Sequence, residues 1–344
     1  MITRKNHKKC IIRVGEDATS CILNSILECD TPTRKSISER TGYSEVTVGK
    51  VMQAIYSLSL AEKKVRKPEY SGHVCAHLTH SKQIHFLIID ISTRRFSLSL
   101  VSSALSYDFH YSYLYSDALR YEENLLTFLN AGAQRLLASG LDYSASVLIA
   151  DNLGGRQCIG YISQINPPKA CDISVIKSKI CSILGTAPDL VISPDAAIKQ
   201  YLIAKTQLDS AYLMIGQTLS AYYLSKAGNL TVCKPWNVVT GNMPLNDFLR
   251  STGDISAIFS SAARLINTLD ATFSPKEIIV QSDSLALGRG FGDEVDEFLS
   301  SLYDSDRTIK VLDSPHLAQS VGGALAARKW LFKRLIVSIE HKKT

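Results

Sequence analysis

The sequence contains no C-x-x-C pair and no apolar run near the roughly 18 residues that a membrane-spanning helix needs. Its eight cysteines are scattered, which fits neither a disulfide framework nor the ligand spacing of a zinc site. The N-terminal stretch MITRKNHKKC is basic but lacks the apolar region of a signal peptide. We therefore expect a reduced, cytoplasmic protein that has no metal site and does not associate with a membrane.

The excess of positive charge is small and unevenly distributed. The chain has 38 Lys and Arg against 32 Asp and Glu, which gives a net charge of +6. Residues 1–78 hold thirteen of the basic residues and eight of the acidic ones, so nearly all of the excess lies there. A basic segment that precedes a nearly neutral one predicts that the first 78 residues contact nucleic acid.

Helix signals in the basic segment follow a recognisable order. Apolar spacing predicts a helix over 17–28, and a second, short helix over 33–42 is ended by Gly42. Ser44 is a good N-cap for a third helix, EVTVGKVMQAIYSL, and residues 60–79 alternate in a way that suits a two-stranded wing. This order is typical of a winged helix-turn-helix.

The function predicted for residues 1–78 is therefore binding of double-stranded DNA. The third helix would enter the major groove, and lysines and arginines of the second helix and the wing would neutralise phosphates. The residues predicted to contact DNA are Lys35, Ser44, Glu45, Val46, Thr47, Gly49, Lys50, Lys63, Lys64, Arg66 and Lys67. Two alternatives are a winged helix that binds protein and a basic face that is merely solvated.

The stretch RKSISERTGYSEVTVGK resembles the N-terminal domain of transcriptional repressors of the ROK (repressor, ORF, kinase) family. Those repressors follow the wing with a Gly-Arg-Pro segment that reaches the minor groove. The corresponding stretch here, PEYSGHVCA, lacks that arginine, so the resemblance predicts major-groove contacts without minor-groove readout.

Strand-like and helix-like stretches alternate from His80 onward, which predicts α/β layers. Two halves, each opening with a hairpin-like pair of strands, suggest a duplicated architecture. The order resembles the two-lobed actin-like, sugar-kinase (ribonuclease H-like) fold of ROK proteins. We predict a DNA-binding domain over 1–78, a first lobe over 79–200, a second lobe over 201–318, and a C-terminal helix over 319–344 that returns to the first lobe.

The resemblance covers the fold of the body but not its phosphate-binding motifs. The family reads D-I-G-G-T in its first phosphate loop, whereas this chain has Asp90-Ile-Ser-Thr-Arg. Glycine is needed in such loops because phosphate must approach the backbone closely. In the second phosphate loop only Gly216 remains, and Tyr222 would fill space that a nucleotide needs.

The motifs for sugar are altered in the same way. Asp195 matches the aspartate that takes the sugar hydroxyl proton in the family, but the glutamate and histidine that read the sugar are replaced around Asn242. We therefore predict no catalytic residues, no cofactor and no kinase activity. The residues that would line a ligand cleft between the lobes are Asp90, Asp195, Gly216, Asn242, Gly322 and Gly323.

Plainer roles are also available for several of these residues. Asp90 would cap its own turn, Asp195 would stabilise a helix start, and Gly322 and Gly323 would permit close helix packing. Four histidines alternate over a strand-rich stretch without ligand-like partners, and we predict that they lie at the surface. They are His73, His77, His80 and His85.

The predicted function is thus a DNA-binding transcriptional regulator whose body forms a homodimer or homotetramer, since a single reading head needs symmetric pairing to recognise two half-sites. Whether a small, sugar-like effector binds is left open. The first alternative is an ATP-dependent sugar kinase with an added DNA-binding domain. The second is a non-enzymatic scaffold whose winged helix contacts protein.

Overall fold

The helices and strands below come from a computed structural model of the 344-residue chain. It describes residues 10–29, 31–66, 75–92, 95–116, 118–150, 173–205, 209–215, 219–233, 256–282, 297–298, 300–301, 309–312 and 317–338. No helix within these ranges has the length and apolarity that crossing a membrane requires.

Three helices and a two-stranded sheet form the N-terminal unit. The helices are α1 (Glu16–Leu27), α2 (Arg34–Thr41) and α3 (Glu45–Ser57). Strands β2 (Ala61–Arg66) and β3 (Cys75–His80) then pair antiparallel. The predicted order of three helices and a hairpin is confirmed.

Local capping explains why α2 and α3 begin and end where they do. The Thr33 side chain accepts a hydrogen bond from the Ser36 amide at 3.0 Å, and Gly42 ends α2 with a φ of 74°. Ser44 Oγ then accepts from the Thr47 amide at 3.3 Å, which satisfies one of the free donors at the start of α3. The predicted caps Gly42 and Ser44 are both confirmed.

The first lobe is built on a five-stranded sheet of order β6-β5-β4-β7-β8. Its strands are β4 (His85–Asp90), β5 (Arg95–Ser102), β6 (Tyr107–Leu114), β7 (Ala145–Ile149) and β8 (Leu190–Ile192). Helices α4 (Tyr121–Ser139) and α5 (Ile173–Leu184) cover one face. Residues of two further helices, described below, pack on the other face, so β4, β5 and β7 are buried along their whole length.

The second lobe repeats the same plan, with strand order β11-β10-β9-β12-β13. Its strands are β9 (Ser210–Ile215), β10 (Leu219–Leu224), β11 (Leu230–Cys233), β12 (Glu277–Ser282) and β13 (Ile309–Leu312). In both lobes the first strand pairs antiparallel with the second and parallel with the fourth. Helix α7 (Ser256–Phe273) packs on one face, and the predicted duplication is confirmed.

Two helices, α6 (Pro194–Lys205) and α8 (Leu317–Leu335), lie between the two sheets. Ala324 and Phe332 of α8 pack on the first sheet, whereas Val321 and Leu325 pack on the second. A Cβ built at Gly322 would overlap the carbonyl group of Ala197, so α8 touches the backbone of α6 there. The predicted packing role of Gly322 is confirmed.

The N-terminal unit is joined to the body by more than chain connectivity. Strand β1 (Cys10–Ile12) pairs parallel with β14 (Ile336–Ser338), which directly follows α8. The buried Arg328 donates hydrogen bonds to the carbonyls of Leu27 at 2.8 Å and Ser103 at 2.9 Å. One apolar core therefore continues across the predicted boundary between residues 78 and 79.

The prediction of surface histidines is wrong for His85, which is buried, and His80 is half-buried rather than exposed. Both ring nitrogens of His80 are buried, and its ring lies 6.4 Å from that of Phe332. His85 is buried in β4, with Nε2 at 2.8 Å from Asp108 Oδ2. Packing by α8 and pairing within the first sheet cover positions that look peripheral in the sequence. His73 lies outside the described residues.

The close approach at Gly322 generates a stability prediction. We expect Gly322→Ala to lower the free energy of unfolding by about 3 kcal/mol or more, because the added methyl meets rigid backbone. Gly15→Ala is the control, since a Cβ there meets nothing within 4 Å and φ is −56°. It should cost a few tenths of a kcal/mol. Urea unfolding of the two variants measures this, and equal losses would contradict the packing role.

Candidate functional site

The exposed face of α3 is the first candidate site. Val46 is 70% exposed, and Glu45 and Lys50 are also exposed on this helix. Ser44 Oγ lies 3.0 Å from Thr47 Oγ1, so the two hydroxyls are held together at the helix start. Apolar, acidic and basic side chains are thus presented together at the N-terminal half of one helix.

A shallow basic groove of about 470 Å³ runs along this face. Val46 and Lys50 line it together with Arg13, Arg34 and Gln53. The three cations come from three places: the stretch after β1, the first residue of α2, and α3 itself. Three cations and an amide on one open surface suit contact with phosphates and base edges.

Gly49, predicted to face base edges, is instead buried beneath the side chain of Arg34. A Cβ at Gly49 would lie 3.1 Å from Arg34 Nε and 3.2 Å from Cζ. The glycine therefore allows the Arg34 guanidinium to lie directly on α3. It shapes the groove by having no side chain of its own.

The remaining predicted DNA contacts are spread over α2 and the two-stranded sheet. Lys63 and Lys64 are exposed on β2, and Lys35 is exposed with Nζ 4.0 Å from Glu39 Oε1. Arg66 pairs through its backbone with Cys75. Lys67 lies outside the described residues.

Sequence reasoning missed Arg13, Arg34 and Gln53. Arg34 and Gln53 lie in predicted helices, but helical periodicity alone does not show which cation of α2 lies against α3. One signal was available: a glycine inside a helix costs about 1 kcal/mol relative to alanine, which points to a close neighbour at Gly49. No sequence pattern predicts the position of Arg13, because that position depends on the pairing of β1 with the distant β14.

The second candidate site is the region between the lobes. Asp90 ends β4 and is fully buried, and its Oδ1 accepts from the amide of Ser92 at 2.9 Å and its hydroxyl at 2.6 Å. The predicted capping of the turn by Asp90 is confirmed. Ser92 stands where the family has a glycine of the first phosphate loop. Its hydroxyl, which a glycine lacks, donates a hydrogen bond to one oxygen of the Asp90 carboxylate.

Asp195 lies in the first turn of α6 and meets the second lobe. The hydroxyl of the buried Tyr222 donates to Asp195 Oδ1 at 3.0 Å. The ring of Tyr222 lies 5.9 Å from that of Tyr212, which is fully buried and whose pKa burial raises well above the usual value. The carboxylate of Asp195, which the resemblance matches to the catalytic position of the family, thus accepts a hydrogen bond from a tyrosine whose ring lies in an apolar cluster.

Gly322 and Gly323 are both buried in helix packing. A Cβ at Gly323 would lie 3.1 Å from a methyl of Ile88 and 3.3 Å from one of Ile149. The structure therefore brings Asp195 and the two glycines to the same α6–α8 layer. Gly216 and Asn242 lie outside the described residues, and within the described ones no three His, Cys, Asp or Glu side chains could hold a metal.

Structural comparison identifies the class of fold. A ROK family transcriptional regulator, described as a homologue of the E. coli MLC protein, matches 92% of this chain and 97% of its own, with a TM-score of 0.53 and 11% identity. The two-lobed body therefore has the actin-like sugar-kinase fold, and a match over 92% of the chain extends into the N-terminal unit. At this identity the likeness establishes the fold alone.

ROK kinases are also among the structural neighbours. A ROK family glucokinase from Streptomyces griseus, in complex with glucose and AMPPNP, matches 71% of this chain and 99% of its own, with a TM-score of 0.43 and 13% identity. A polyphosphate/ATP-glucomannokinase from Arthrobacter matches 71% and 98%, with a TM-score of 0.49 and 16% identity. Neither a protein-family model nor a curated protein matches the sequence.

The contact between Gly49 and Arg34 leads to a prediction about stability. We expect Gly49→Ala to raise the free energy of unfolding by up to about 1 kcal/mol, because alanine favours the helix and the Arg34 side chain can move aside. Gly42→Ala is the matched control in the same unit: its Cβ meets open space, but its φ of 74° is left-handed. That variant should lose about 1–2 kcal/mol. Urea unfolding distinguishes them, and a large loss for Gly49→Ala would show that Arg34 is fixed.

Proposed function

We propose that the protein is a DNA-binding transcriptional regulator of the ROK type, in which residues 1–78 form a winged helix-turn-helix. The observation that carries this proposal is the basic groove on α3, lined by Arg13, Arg34 and Lys50. The α3 helix would enter the major groove, with Val46, Lys50 and Gln53 toward base edges. Arg13 and Arg34 at the margins, and Lys63 and Lys64 on the sheet, would neutralise phosphates.

The geometry of the N-terminal unit supports DNA over protein as its partner. The exposed residues of the groove are mostly cationic or amide-bearing, whereas the core of a protein–protein interface is depleted of charge. The regulator that shares the fold matches 92% of this chain, so the match extends into the N-terminal unit. The alternative of a protein-binding scaffold does not account for the three cations that line the groove.

The body is proposed to have lost kinase activity. Phosphoryl transfer depends on positioning and on electrostatic stabilisation of the phosphates. Here Ser92 occupies one oxygen of Asp90, and Tyr222 donates to Asp195, so both carboxylates are committed to structural hydrogen bonds. The body would instead supply a dimer or tetramer interface, which places two heads on two half-sites about 34–36 Å apart.

DNA binding is tested with a fragment from upstream of the protein's own gene, using fluorescence anisotropy over a range of salt concentrations. We expect the affinity to fall linearly on a double logarithmic plot, with a slope of about −0.9 per neutralised phosphate. Arg34→Ala should lower that slope by about one unit, and Lys50→Ala should weaken binding by about 1–3 kcal/mol. Lys310→Ala, an exposed cation of the second lobe, is the control and should change neither. A binding constant that is insensitive to salt would contradict the proposal.

Loss of catalysis is tested with a coupled assay of ATP hydrolysis across a panel of sugars. We expect the rate of the native protein to equal that of Asp195→Asn, because the native carboxylate is already engaged by Tyr222. Asparagine can still accept from that hydroxyl, so the variant should fold normally. A sugar-dependent rate that exceeds the rate of Asp195→Asn would instead favour the kinase.

A further inference from the structure

A cavity of about 140 Å³ lies where the N-terminal unit meets the body. Its walls come from the end of α1, the end of β3, the turn after β5, the end of α6, and α8. A closed cavity of about 150 Å³ holds a molecule the size of benzene. The cavity at the junction therefore has room for a group of about five heavy atoms, and it is separate from both the α3 groove and the Asp195 region.

Two cations and one carboxylate are the charged groups in the walls of this cavity. Lys205 ends α6 and is exposed, while Arg328 of α8 reaches across to the carbonyls of Leu27 and Ser103. The acidic lining residue Glu28 already forms an ion pair with Arg40 at 2.8 Å. The charged and titratable groups around His80 are thus Glu28, Cys29, Lys205 and Arg328.

His80 is the residue that lacks a polar partner. Its two ring nitrogens are buried, and neither has a hydrogen-bond partner among the described residues. Burial and the neighbouring charges of Arg328 and Lys205 hold the pKa of His80 well below its usual value, so the ring is neutral at pH 7. A buried polar group without a partner is destabilising, and a ligand that accepts a hydrogen bond from the ring would remove that cost.

We propose that this junction cavity binds a small phosphate, either inorganic phosphate or the phosphoryl end of a small monoester. The dianion would lie between Lys205 and Arg328, and the His80 ring would turn toward it to donate a hydrogen bond. A phosphate group has five heavy atoms and two negative charges, which suits both the volume and the cationic walls. No covalent step is involved.

Binding at this place would link the two parts of the chain. The cavity touches α1 and β3 of the N-terminal unit on one side and α6 and α8 of the body on the other. A bound phosphate would therefore hold the N-terminal unit in one orientation relative to the body. Control of DNA binding by this orientation rests on the proposed function. Phosphate binding at the cavity does not depend on that proposal.

Isothermal titration calorimetry of the full chain without DNA tests the site. Inorganic phosphate and glycerol phosphate are titrated separately, with sodium chloride at equal ionic strength as the blank. Lys205→Gln should weaken phosphate binding about tenfold or more, since one charged hydrogen bond is lost. Lys199→Gln, on the same helix but outside the cavity, is the matched control and should bind as the native protein does.

The ring of His80 gives a readout that a structural role of these residues would not change. The bound dianion accepts a hydrogen bond from the ring, so the ring ¹⁵N shifts of His80 should change as phosphate is added. His80→Phe should weaken phosphate binding, because the donor is lost. If it does not fold, the ring ¹⁵N shift of His80 in the native protein, with and without phosphate, tests the same contact.

Three results would overturn the proposal. The first is the absence of saturable binding for both phosphate compounds. The second is an equal loss in Lys205→Gln and Lys199→Gln, which would indicate a general charge effect. The third is binding without a change in the ring ¹⁵N shifts of His80. These measurements contain no DNA, so they test phosphate binding independently of whether the protein binds DNA.

Discussion

The close approach of α8 to the backbone of α6 at Gly322 is the constraint on which the arrangement of the body depends. With no Cβ at that position, the two helices lie in direct backbone contact, and together they contribute to the cores on both sheets. Ala324 and Phe332 of α8 complete the core of the first sheet, while Val321 and Leu325 complete that of the second. Any side chain at residue 322 would separate the helices and open both cores together.

The same layer joins the second lobe to α6 at Asp195, the residue that the family resemblance matches to a catalytic position. Tyr222 fills the space beside Asp195 and packs on Tyr212, so the second lobe is joined to α6 by a ring and a hydroxyl. In the first lobe, Ser92 makes two hydrogen bonds to Asp90 at the end of β4. Where loops of the family leave room for phosphate, this chain has side chains that stabilise its own structure.

Much of this architecture could be predicted because its signals are local. Gly42 and Ser44 lie within a few residues of the helix ends they define. Each lobe opens with two consecutive apolar runs, which predict a hairpin. The position of Arg34 on Gly49 and the burial of His80 could not be predicted. Both depend on which helix face meets which neighbour, and His80 is covered by Phe332 from a distant part of the chain.

Pairing between β1 and β14 has a consequence for how the protein is made. Residues 10–12 leave the ribosome early, but their partners at 336–338 are among the last described residues to be synthesised. Arg13, which directly follows β1 and lines the α3 groove, reaches its final position only after that pairing. The carbonyl of Leu27 likewise gains its hydrogen bond from Arg328 only after residue 328 has been synthesised. A product of interrupted translation would therefore carry α1–α3 without the β1–β14 pairing and without the Arg328 hydrogen bond to Leu27, so the complete groove belongs only to chains that have been translated beyond β14.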